Sequence, residues 1–346
     1  MNEFDLIKNF FRDRAHTMNS NNIFYQHRAV GIGDDAAIFS PPDGYDLVVS
    51  SDLLLEGTHF KNTHPSDTVG HKVLAVNLSD LAAMGAEPLC FTLSMNLNEF
   101  NPEWLKGFCN GLFTLANSTN CKLIGGDTVK SLKNAPIFFG VTILGIIPKG
   151  KSLKRDSAQL NDDLWISGAL GNPSEAVKKN LICKKLLTPQ PRLELGRKLL
   201  NIANSAIDIS DGLSSDLIHL INESSKQLDR RIYAVVDLQS ISSCFDSTLL
   251  SYYVNDHLSF SECCNLAVAS GDEYELCFSA PEKFRSKIKS LSKEINLPLT
   301  RIGKVLSEKD IYKIYSNQFG NPIIWLDKNK NPINEDNFSP KGFSHY

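Results

Sequence analysis

The sequence lacks an excess of either charge and lacks any long apolar run. Its 346 residues include 36 Lys and Arg against 39 Asp and Glu, which gives a formal net charge of −3. This near-balance excludes a polybasic nucleic-acid-binding protein. The longest nearly apolar run, Phe138 to Ile147, has ten residues, about half of the ~20 that a membrane-spanning helix needs. We therefore expect neither nucleic acid nor a membrane as a partner.

The cysteines and histidines show none of the spacings that are typical of a disulfide framework or a zinc site. Eight cysteines are scattered from Cys90 to Cys277 without a CxxC pair, and eight histidines are spread along the chain. Free thiols are the usual state of cysteine in a reducing compartment, so we expect a cytoplasmic protein. The first residues, MNEFDLIKNFFRDR, lack a basic region followed by an unbroken apolar run. We interpret them as an amphipathic helix rather than a signal peptide.

The common motifs of covalent and nucleotide-dependent catalysis are absent or incomplete. The sequence contains no G-x-S-x-G, no H-E-x-x-H and no protein-kinase catalytic loop. Residues Gly145 to Ser152 match the phosphate-loop pattern G-x-x-x-x-G-K-S. A working loop, however, needs a helix that begins at the lysine, and Leu153 to Asp163 has no apolar stripe. We therefore interpret this stretch as a linker between domains.

Apolar runs that alternate with helical periodicities predict two mixed-sheet α/β (α+β) domains. A polar stretch, Pro148 to Asp163, places the domain boundary near residue 150, which gives domains at 1–150 and 151–346. The predicted strands are Ala29 to Ile32, Leu47 to Ser51, Leu89 to Leu97, Lys122 to Ile124, Ile137 to Ile147, Leu164 to Ser167, Ala206 to Ile209, Ile232 to Val236, Tyr274 to Phe278 and Arg301 to Val305. The predicted helices are Ser66 to Met84, Pro102 to Ser118, Pro191 to Ala203, Gly212 to Ser224 and Pro281 to Leu291.

Aspartates follow four of the apolar segments, and small residues surround each of them. The four segments are GIGDD at 31–35, VSSD at 49–52, IGGD at 124–127 and AIDISD at 206–211. Glycine and serine let a backbone approach a phosphate, while carboxylates and hydroxyls are the hard oxygen donors that Mg²⁺ prefers. The alternative for any single segment is a turn or a helix N-cap. Repetition of the pattern favours a polyphosphate bound through magnesium.

A fifth carboxylate, Asp80, lies within a predicted helix. Val69, Val73, Val76 and Asp80 share one helical face, so Asp80 projects from an apolar stripe. A buried carboxylate requires a cation, a set of hydrogen-bond donors or a metal ion. A structural salt bridge is the alternative to a metal site, with Lys72 eight positions earlier in the sequence.

Six motifs together resemble the thiamine-monophosphate kinase family, in order and in spacing. They are GIGDDAA at 31–37, SSDLLLEGTHF at 50–60, AVNLSDLAAMGAEP at 75–88, LIGGDT at 123–128, AIDISDGL at 206–213 and SGDEYELCF at 270–278. The resemblance runs from about residue 3 to the closing KGFSHY. It implies the aminoimidazole-ribonucleotide-synthetase-like fold, in which the N-terminal domain binds ATP and magnesium and pairs in a homodimer, and the C-terminal domain closes the active site. It also implies the reaction, in which ATP phosphorylates thiamine monophosphate to give thiamine diphosphate and ADP.

The same resemblance implies roles for residues at the matching positions. Magnesium ligands would be Asp35, Ser50, Ser51, Asp52, Asp80, Asp127, Asp208 and Asp211. ATP would contact Gly126, Asp127, Arg155 and Ser210. Thiamine monophosphate would contact His59, Asp272 and Phe343. The family more often has Gly-Gly-Glu-Asp where this chain has Ser270-Gly271-Asp272-Glu273, which leaves open whether Asp272 or Glu273 meets the substrate.

Other interpretations of these residues and of the function stay open at this point. His59 could be an ordinary loop histidine, and Phe343 could serve only to dock the C-terminal tail. A related enzyme that activates an amide or formyl oxygen with ATP, such as aminoimidazole ribonucleotide synthetase, is the alternative activity. A nucleotide- or thiamine-binding regulator is the alternative outside enzymes, and the complete set of aspartates argues against it.

Overall fold

The structure, a computed structural model, describes residues 3–16, 31–32, 35–171, 183–315, 319–334 and 336–343. These residues form two compact units, the first drawn from 1–81, 86–152 and 187–193, and the second from 82–85, 153–186 and 194–346. The functional roles assigned to 1–150 and 151–346 stay predictions. No helix in the described ranges combines the length and apolarity needed to cross a membrane.

The first unit is built on a four-stranded mixed sheet. Its strands are β1 (Tyr45–Leu55), β2 (Glu87–Leu97), β3 (Lys122–Lys130) and β4 (Phe138–Pro148). They lie in the order β1-β4-β2-β3, with β4 antiparallel to β1 and β2, and with β3 parallel to β2. Strands that run parallel need long crossovers, which are the long helix Ser66–Met84 and the second helix Pro102–Ser118. The N-terminal helical stretch comprises Glu3–Leu6, the π-helical turn Ile7–Arg12 and Asp13–His16.

The long helix covers one face of this sheet. Along β1, Leu54 is 3% exposed whereas its neighbour Leu53 is 61% exposed, because successive side chains point to opposite faces. Gly145 in β4 lies on the covered face, where an added Cβ would approach the Leu81 methyl groups to 3.1 Å. The stripe predicted from the sequence, Val69, Val73 and Val76, is buried. The alternation therefore gives β1 one face toward the helix and one exposed apolar face.

The second unit contains a six-stranded mixed sheet. Its strands are β5 (Asp163–Ser167), β6 (Ser205–Asp208), β7 (Ile232–Asp237), β8 (Leu276–Ala280), β9 (Leu299–Ser307) and β10 (Ile323–Leu326), in the order β10-β7-β9-β5-β8-β6. Its helices are Lys184–Leu187, Leu193–Leu199, Leu213–Gln227, Leu238–Ser242, Ser247–Val254, Phe260–Ala269, Arg285–Glu294 and Glu308–Tyr315, with a 3₁₀ turn at Glu282–Phe284. One apolar cluster, which includes Leu217, Ile221 and Val268, packs between strands and helices.

The predictions of secondary structure were most accurate for the two long helices of the first unit. The two helices of the first unit have the predicted bounds. The strand predicted from Tyr274 begins instead at Leu276, because Asp272 and Tyr274 have φ of +59° and +50°, outside the extended region. The helix predicted at Pro191 to Ala203 is only Leu193–Leu199. Strand β10 and four helices after residue 237 were not predicted, and the predicted strand Ala29 to Ile32 lies largely outside the described residues.

Glycines allow the long helix and the second helix to pack with their backbones in contact. A Cβ added at Gly111 would lie 1.7 Å from the Asp67 carbonyl oxygen, and one added at Gly70 would lie 1.9 Å from the Phe108 carbonyl oxygen. Both obstacles are backbone atoms of rigid helices, which cannot move aside as a flexible side chain can. The close approach also places Phe108 against Phe139 of β4, with ring centroids 4.7 Å apart.

We expect Gly111→Ala to destabilise the protein despite the higher helix propensity of alanine. Overpacking at a rigid site costs about 3 kcal/mol or more, and the propensity gain returns about 1 kcal/mol, so the net loss is roughly 2 kcal/mol. The measurement is the free energy of unfolding from a urea titration. Thr114→Ala, at an exposed position of the same helix, serves as the control and should change stability by less than about 0.5 kcal/mol. Equal stabilities of the two variants would contradict this account of the helix contact.

Candidate functional site

The first group of predicted ligands, Ser50, Asp52 and Asp80, lies between β1 and the long helix. Ser50 and Asp52 are two residues apart on β1 and therefore project to the same face. Asp80 lies on the long helix, and the Ser50 hydroxyl donates a hydrogen bond to its Oδ2. Burial, and then the nearby Asp80 carboxylate, raise the pKa of Asp52 to about 6. Two carboxylates and a hydroxyl in one place form an oxygen-donor set suited to a divalent cation.

Ser51 does not join this group through its side chain. Its hydroxyl donates to the Val141 carbonyl oxygen at 3.0 Å and lies 3.1 Å from the Thr142 hydroxyl. The alternation of β1 turns Ser51 to the face opposite Ser50 and Asp52. The role of its hydroxyl as a magnesium ligand, implied by the family resemblance, therefore has no support from this geometry.

The second group, Asp35, Gly126 and Asp127, lines a cleft of about 570 Å³ along β3. Lys8 and Arg12 of the N-terminal helical stretch line the same cleft, so cationic and anionic side chains face one space. Gly126 has φ of +154°, and an added Cβ would lie 1.9 Å from the Leu93 carbonyl oxygen. Only glycine fits there, which leaves the β3 backbone accessible. Asp34, the neighbour of Asp35 in the motif, lies outside the described residues.

The first and second groups are not in contact across the sheet. Strand β1 is at one edge and β3 at the other, with β4 and β2 between them. Three spacings between strands amount to roughly 14 Å, whereas a Mg²⁺–oxygen bond is about 2.1 Å long. One ion therefore cannot bind Asp52 and Asp127 together. Within the described ranges, no cluster of three or more His, Cys, Asp or Glu side chains is arranged to hold a metal ion unaided.

The third group follows β6 in the second unit and comprises Asp208, Ser210 and Asp211. It is held by Asp216, a buried residue on the next helix that the sequence analysis did not select. One oxygen of Asp216 accepts hydrogen bonds from the backbone N–H groups of Ser210, Asp211 and Gly212 at 3.1, 3.2 and 3.1 Å. Burial, and then the charges of Asp208 and Asp211, raise the pKa of Asp216. Asp216 thus fixes the loop by accepting three hydrogen bonds at one oxygen.

Two of the three predicted substrate residues lie beside this loop. The Asp272 N–H donates to the Ser210 carbonyl oxygen at 2.8 Å, and the Phe343 N–H donates to the Asp211 carbonyl oxygen at 2.9 Å. Phe343 is 50% exposed, whereas Glu273 is 1% exposed and is paired with Lys185. The partly exposed Asp272 is therefore the carboxylate of this pair that a ligand can reach.

His59, the remaining substrate residue, is fixed in the turn that follows β1. Its Nδ1 accepts a hydrogen bond from the Leu55 N–H at 2.9 Å, which assigns the imidazole proton to Nε2. The buried Lys72 donates to the His59 carbonyl oxygen at 3.0 Å. Lys72 thus supports the His59 turn.

Arg155 lies in the stretch interpreted as a linker, and its side chain is exposed. Its carbonyl oxygen accepts a hydrogen bond from the Ser224 hydroxyl at 3.0 Å. The residues from Lys149 to Asp162 form turns and irregular backbone rather than a helix. This result agrees with the rejection of the phosphate-loop match at Gly145 to Ser152.

Comparisons with known proteins identify the family. The family described as "AIR synthase related protein, N-terminal domain" matches residues 33–147. A thiamine-monophosphate kinase from Haemophilus influenzae is 33% identical over 317 residues, covering 88% of this chain and 89% of its own. Another from Buchnera aphidicola subsp. Acyrthosiphon pisum is 35% identical over 358 residues, covering 99% and 98%. The chain belongs to the thiamine-monophosphate kinase family.

Solved structures of thiamine-monophosphate kinases share this fold. The crystal structure of the enzyme from Stenotrophomonas maltophilia K279a has a TM-score of 0.77 and 33% identity, and the match covers 96% of this chain and 98% of that one. AaThiL complexed with AMPPCP and TMP has a TM-score of 0.70 and 22% identity over 99% and 97% of the chains, which shows the fold alone. The predicted fold class, two mixed α/β domains of the aminoimidazole-ribonucleotide-synthetase-like type, is confirmed.

We expect Asp80→Asn to weaken catalysis and, in metal-free buffer, to stabilise the fold. Burial, and then the Asp80 charge, raise the pKa of Asp52 from 3.8 to about 6, so ionisation of Asp52 in the folded protein costs stability as pH rises through this range. Removing the Asp80 charge relieves the smaller, electrostatic part of this cost and removes an oxygen donor for the cation. The measurements are turnover against Mg²⁺ concentration and the unfolding midpoint in EDTA at pH 7.5.

The control for this variant is Asp67→Asn, an exposed carboxylate at the start of the same helix. It should alter the unfolding midpoint slightly, through the helix dipole, and leave the Mg²⁺ dependence unchanged. Turnover of Asp80→Asn within a few-fold of wild type at ordinary Mg²⁺ would refute a ligand role for Asp80.

Proposed function

We propose that this protein transfers the γ-phosphoryl group of ATP to thiamine monophosphate, yielding thiamine diphosphate and ADP. The observation that carries the proposal is its 33% and 35% identity, over 88% and 99% of the chain, to proteins named thiamine-monophosphate kinase. The complex of AaThiL with AMPPCP and TMP supports ATP as the phosphoryl donor. The reaction belongs to thiamine diphosphate biosynthesis.

The three acidic groups have the chemistry of Mg²⁺ sites that are completed by substrate. Mg²⁺ in kinases usually takes one or two carboxylates and fills its other positions with water and phosphate oxygens. In the first unit, Ser50, Asp52 and Asp80 would hold Mg²⁺, as would Asp35 and Asp127. In the second unit, the ligands would be Asp208 and Asp211. Bound Mg²⁺ would neutralise phosphate charge, which is the main electrostatic obstacle when two anions react.

The acceptor needs no general base from the protein. The second pKa of a phosphate monoester is about 6, so near pH 7 its attacking oxygen is already largely deprotonated. The protein's contribution is to hold donor and acceptor in line and to exclude misaligned poses. Gly126 is exposed and carries no side chain, so a phosphate could approach the β3 backbone there. The N–H groups around Ser210 already bond to Asp216, so we assign the ATP contact of Ser210 to its side chain.

The substrate contacts follow from charge and exposure. The thiazolium ring of thiamine monophosphate is a cation, which favours a carboxylate and an aromatic face. We assign these roles to Asp272 and to Phe343, which lie beside the same loop of the second unit. His59 would act as a donor through Nε2, because its Nδ1 is already occupied by the Leu55 N–H.

The alternative activity, that of aminoimidazole ribonucleotide synthetase, is less well supported. The match to the AIR synthase related family covers only residues 33–147. Hydrogenase maturation protein HypE in complex with ATP has a TM-score of 0.74 but 17% identity, so it is evidence for the fold alone. The relatives that are similar over most of the chain carry the kinase name.

We expect thiamine diphosphate and ADP to form in equal amounts when the protein is incubated with ATP, Mg²⁺ and thiamine monophosphate. Chromatography of both products is the measurement. Unphosphorylated thiamine is the matched control acceptor, and it should fail because its hydroxyl needs a general base, a role that we assign to none of the described residues. Release of inorganic phosphate without thiamine diphosphate would favour the alternative activity.

We also propose a homodimer that forms through β1. This eleven-residue strand is an edge of its sheet, and its outer face exposes Leu47, Val49 and Leu53 at 41%, 59% and 61%. An exposed apolar edge strand is an aggregation hazard unless another chain covers it. A second copy is the occupant that fits, because two identical edges can pair antiparallel about a two-fold axis.

The eight cysteines, all within the described ranges, are free, which supports the proposed cytoplasmic location.

We expect an apparent mass of twice 38.4 kDa in solution. The double variant Val49→Asp/Leu53→Asp should shift it to the monomer value, because buried carboxylates at the interface would be unpaired. The measurement is sedimentation velocity or light scattering at assay concentration. Leu132→Asp, at a residue that is 84% exposed and lies outside the strands, is the control and should leave the mass unchanged. A monomeric wild-type protein would contradict the proposal.

A further inference from the structure

The acidic segment 272–275 alternates between two environments. Glu273 and Glu275 are each 1% exposed, whereas Asp272 is partly exposed. Asp272 and Tyr274 have φ of +59° and +50°, a region that is unfavourable for side chains other than glycine, and especially for bulky ones. Such a backbone persists only where surrounding contacts hold it. The two buried glutamates lie on each side of Tyr274, where their contacts can hold this backbone conformation.

Lys185 joins the two glutamates. Its Nζ lies 2.6 Å from Glu273 Oε2 and 3.3 Å from Glu275 Oε1, and it also donates to the Ala169 carbonyl oxygen. Burial disfavours its charge, but the two carboxylates outweigh burial and raise the pKa of Lys185. A single ammonium group therefore pairs with two buried carboxylates at one point.

The segment 167–171 supplies the remaining contacts of the two glutamates. The Gly171 N–H donates to Glu273 Oε1 at 2.6 Å, and the Ser167 hydroxyl donates to Glu275 Oε2 at 2.6 Å. Gly168, with φ of +63°, leaves room for the carboxylate, since an added Cβ would lie 2.1 Å from Glu275 Oε1. The glutamates are thus fixed at both oxygens, and their backbone is fixed with them.

We propose that Lys185 is a positioning residue for the phosphoryl acceptor, acting through Glu273 and Glu275 on Asp272. The ion pairs hold the backbone on both sides of the strained residues, and Tyr274 then donates its hydroxyl to Asp272 Oδ1 at 3.1 Å. The Asp272 carboxylate is thereby oriented before substrate arrives. The inference rests on the proposed function, in which Asp272 contacts the cationic thiazolium. Its consequence is greater for the acceptor than for ATP, because Lys185 acts directly on the segment that carries Asp272, whereas the Ser210 loop is also held by Asp216.

The test compares Lys185→Met with wild type in the coupled kinase assay. Lys185→Met should raise KM for thiamine monophosphate by roughly 10- to 100-fold, as expected when a binding group is misplaced by about 1 Å. KM for ATP should rise several-fold less than the acceptor KM, since Asp216 still holds the Ser210 loop although Asp272 donates to it. Lys185→Arg keeps the charge and should raise the acceptor KM less than Lys185→Met does.

A matched control separates positioning from simple loss of stability. Arg285→Met removes a cation from the buried Asp163, whose Oδ2 lies 2.6 Å from Arg285 Nε. Asp163 begins β5 and Ser167 ends it, so the control breaks a buried ion pair at the opposite end of the same strand. We expect both Arg285→Met and Lys185→Met to lower the unfolding midpoint. Arg285→Met should leave the KM for thiamine monophosphate and the KM for ATP unchanged.

The outcomes distinguish the inference from the proposed function. A wild-type protein that forms no thiamine diphosphate contradicts the proposed function itself. An active wild type with unchanged acceptor KM in folded Lys185→Met, or with equal increases in both KM values, overturns the role of Lys185. If Lys185→Met does not fold, Glu275→Gln takes its place: a greater increase in the acceptor KM than in the KM for ATP supports the inference, and wild-type values overturn it.

Discussion

Carboxylates that repel one another are held close together in both units of this protein, and much of the surrounding structure serves to keep them there. Asp52 and Asp80 face each other between a strand and a helix, and burial, followed by the Asp80 charge, raises the pKa of Asp52 to about 6. Asp208, Asp211 and Asp216 form a comparable group after β6. Such groups cost folding free energy when they are empty, and they are stabilised when a divalent cation and its phosphates bind. The arrangement is therefore understandable as a binding site and hard to explain as a structural feature.

Rigid segments of backbone hold these carboxylates in place. Glycines such as Gly70 and Gly111 let two helices touch through their backbones, which fixes the helix that carries Asp80. In the second unit, Asp216 collects three N–H groups on one oxygen and defines the loop of Ser210 and Asp211. In both examples a segment that carries candidate ligands is held by residues that are not candidate ligands themselves. This arrangement is typical of sites at which a small displacement of a charged group greatly lowers the rate or the affinity.

The acidic segment that follows helix Phe260–Ala269 shows the same division within four residues. Its two glutamates are buried and both pair with Lys185, while Asp272 stays accessible. The sequence left open whether Asp272 or Glu273 meets the substrate. The geometry separates one accessible carboxylate, Asp272, from two that are buried. Burial, which depends on residues more than a hundred positions away in sequence, makes this distinction.

The sequence by itself was enough to predict the two long helices of the first unit and to identify the aspartates that follow apolar segments. Val69, Val73, Val76 and Asp80 follow helical spacing, so their shared face was predictable from local geometry. The motifs at 31–37 and 206–213 likewise indicated the family. Only the tertiary structure decided that Asp52 and Asp127 lie at opposite edges of one sheet, that Ser51 faces away from Ser50, and that Asp216 and Lys185 hold the neighbouring loops. Strand order and burial arise from contacts between segments that are distant in sequence, and local sequence patterns do not predict those contacts.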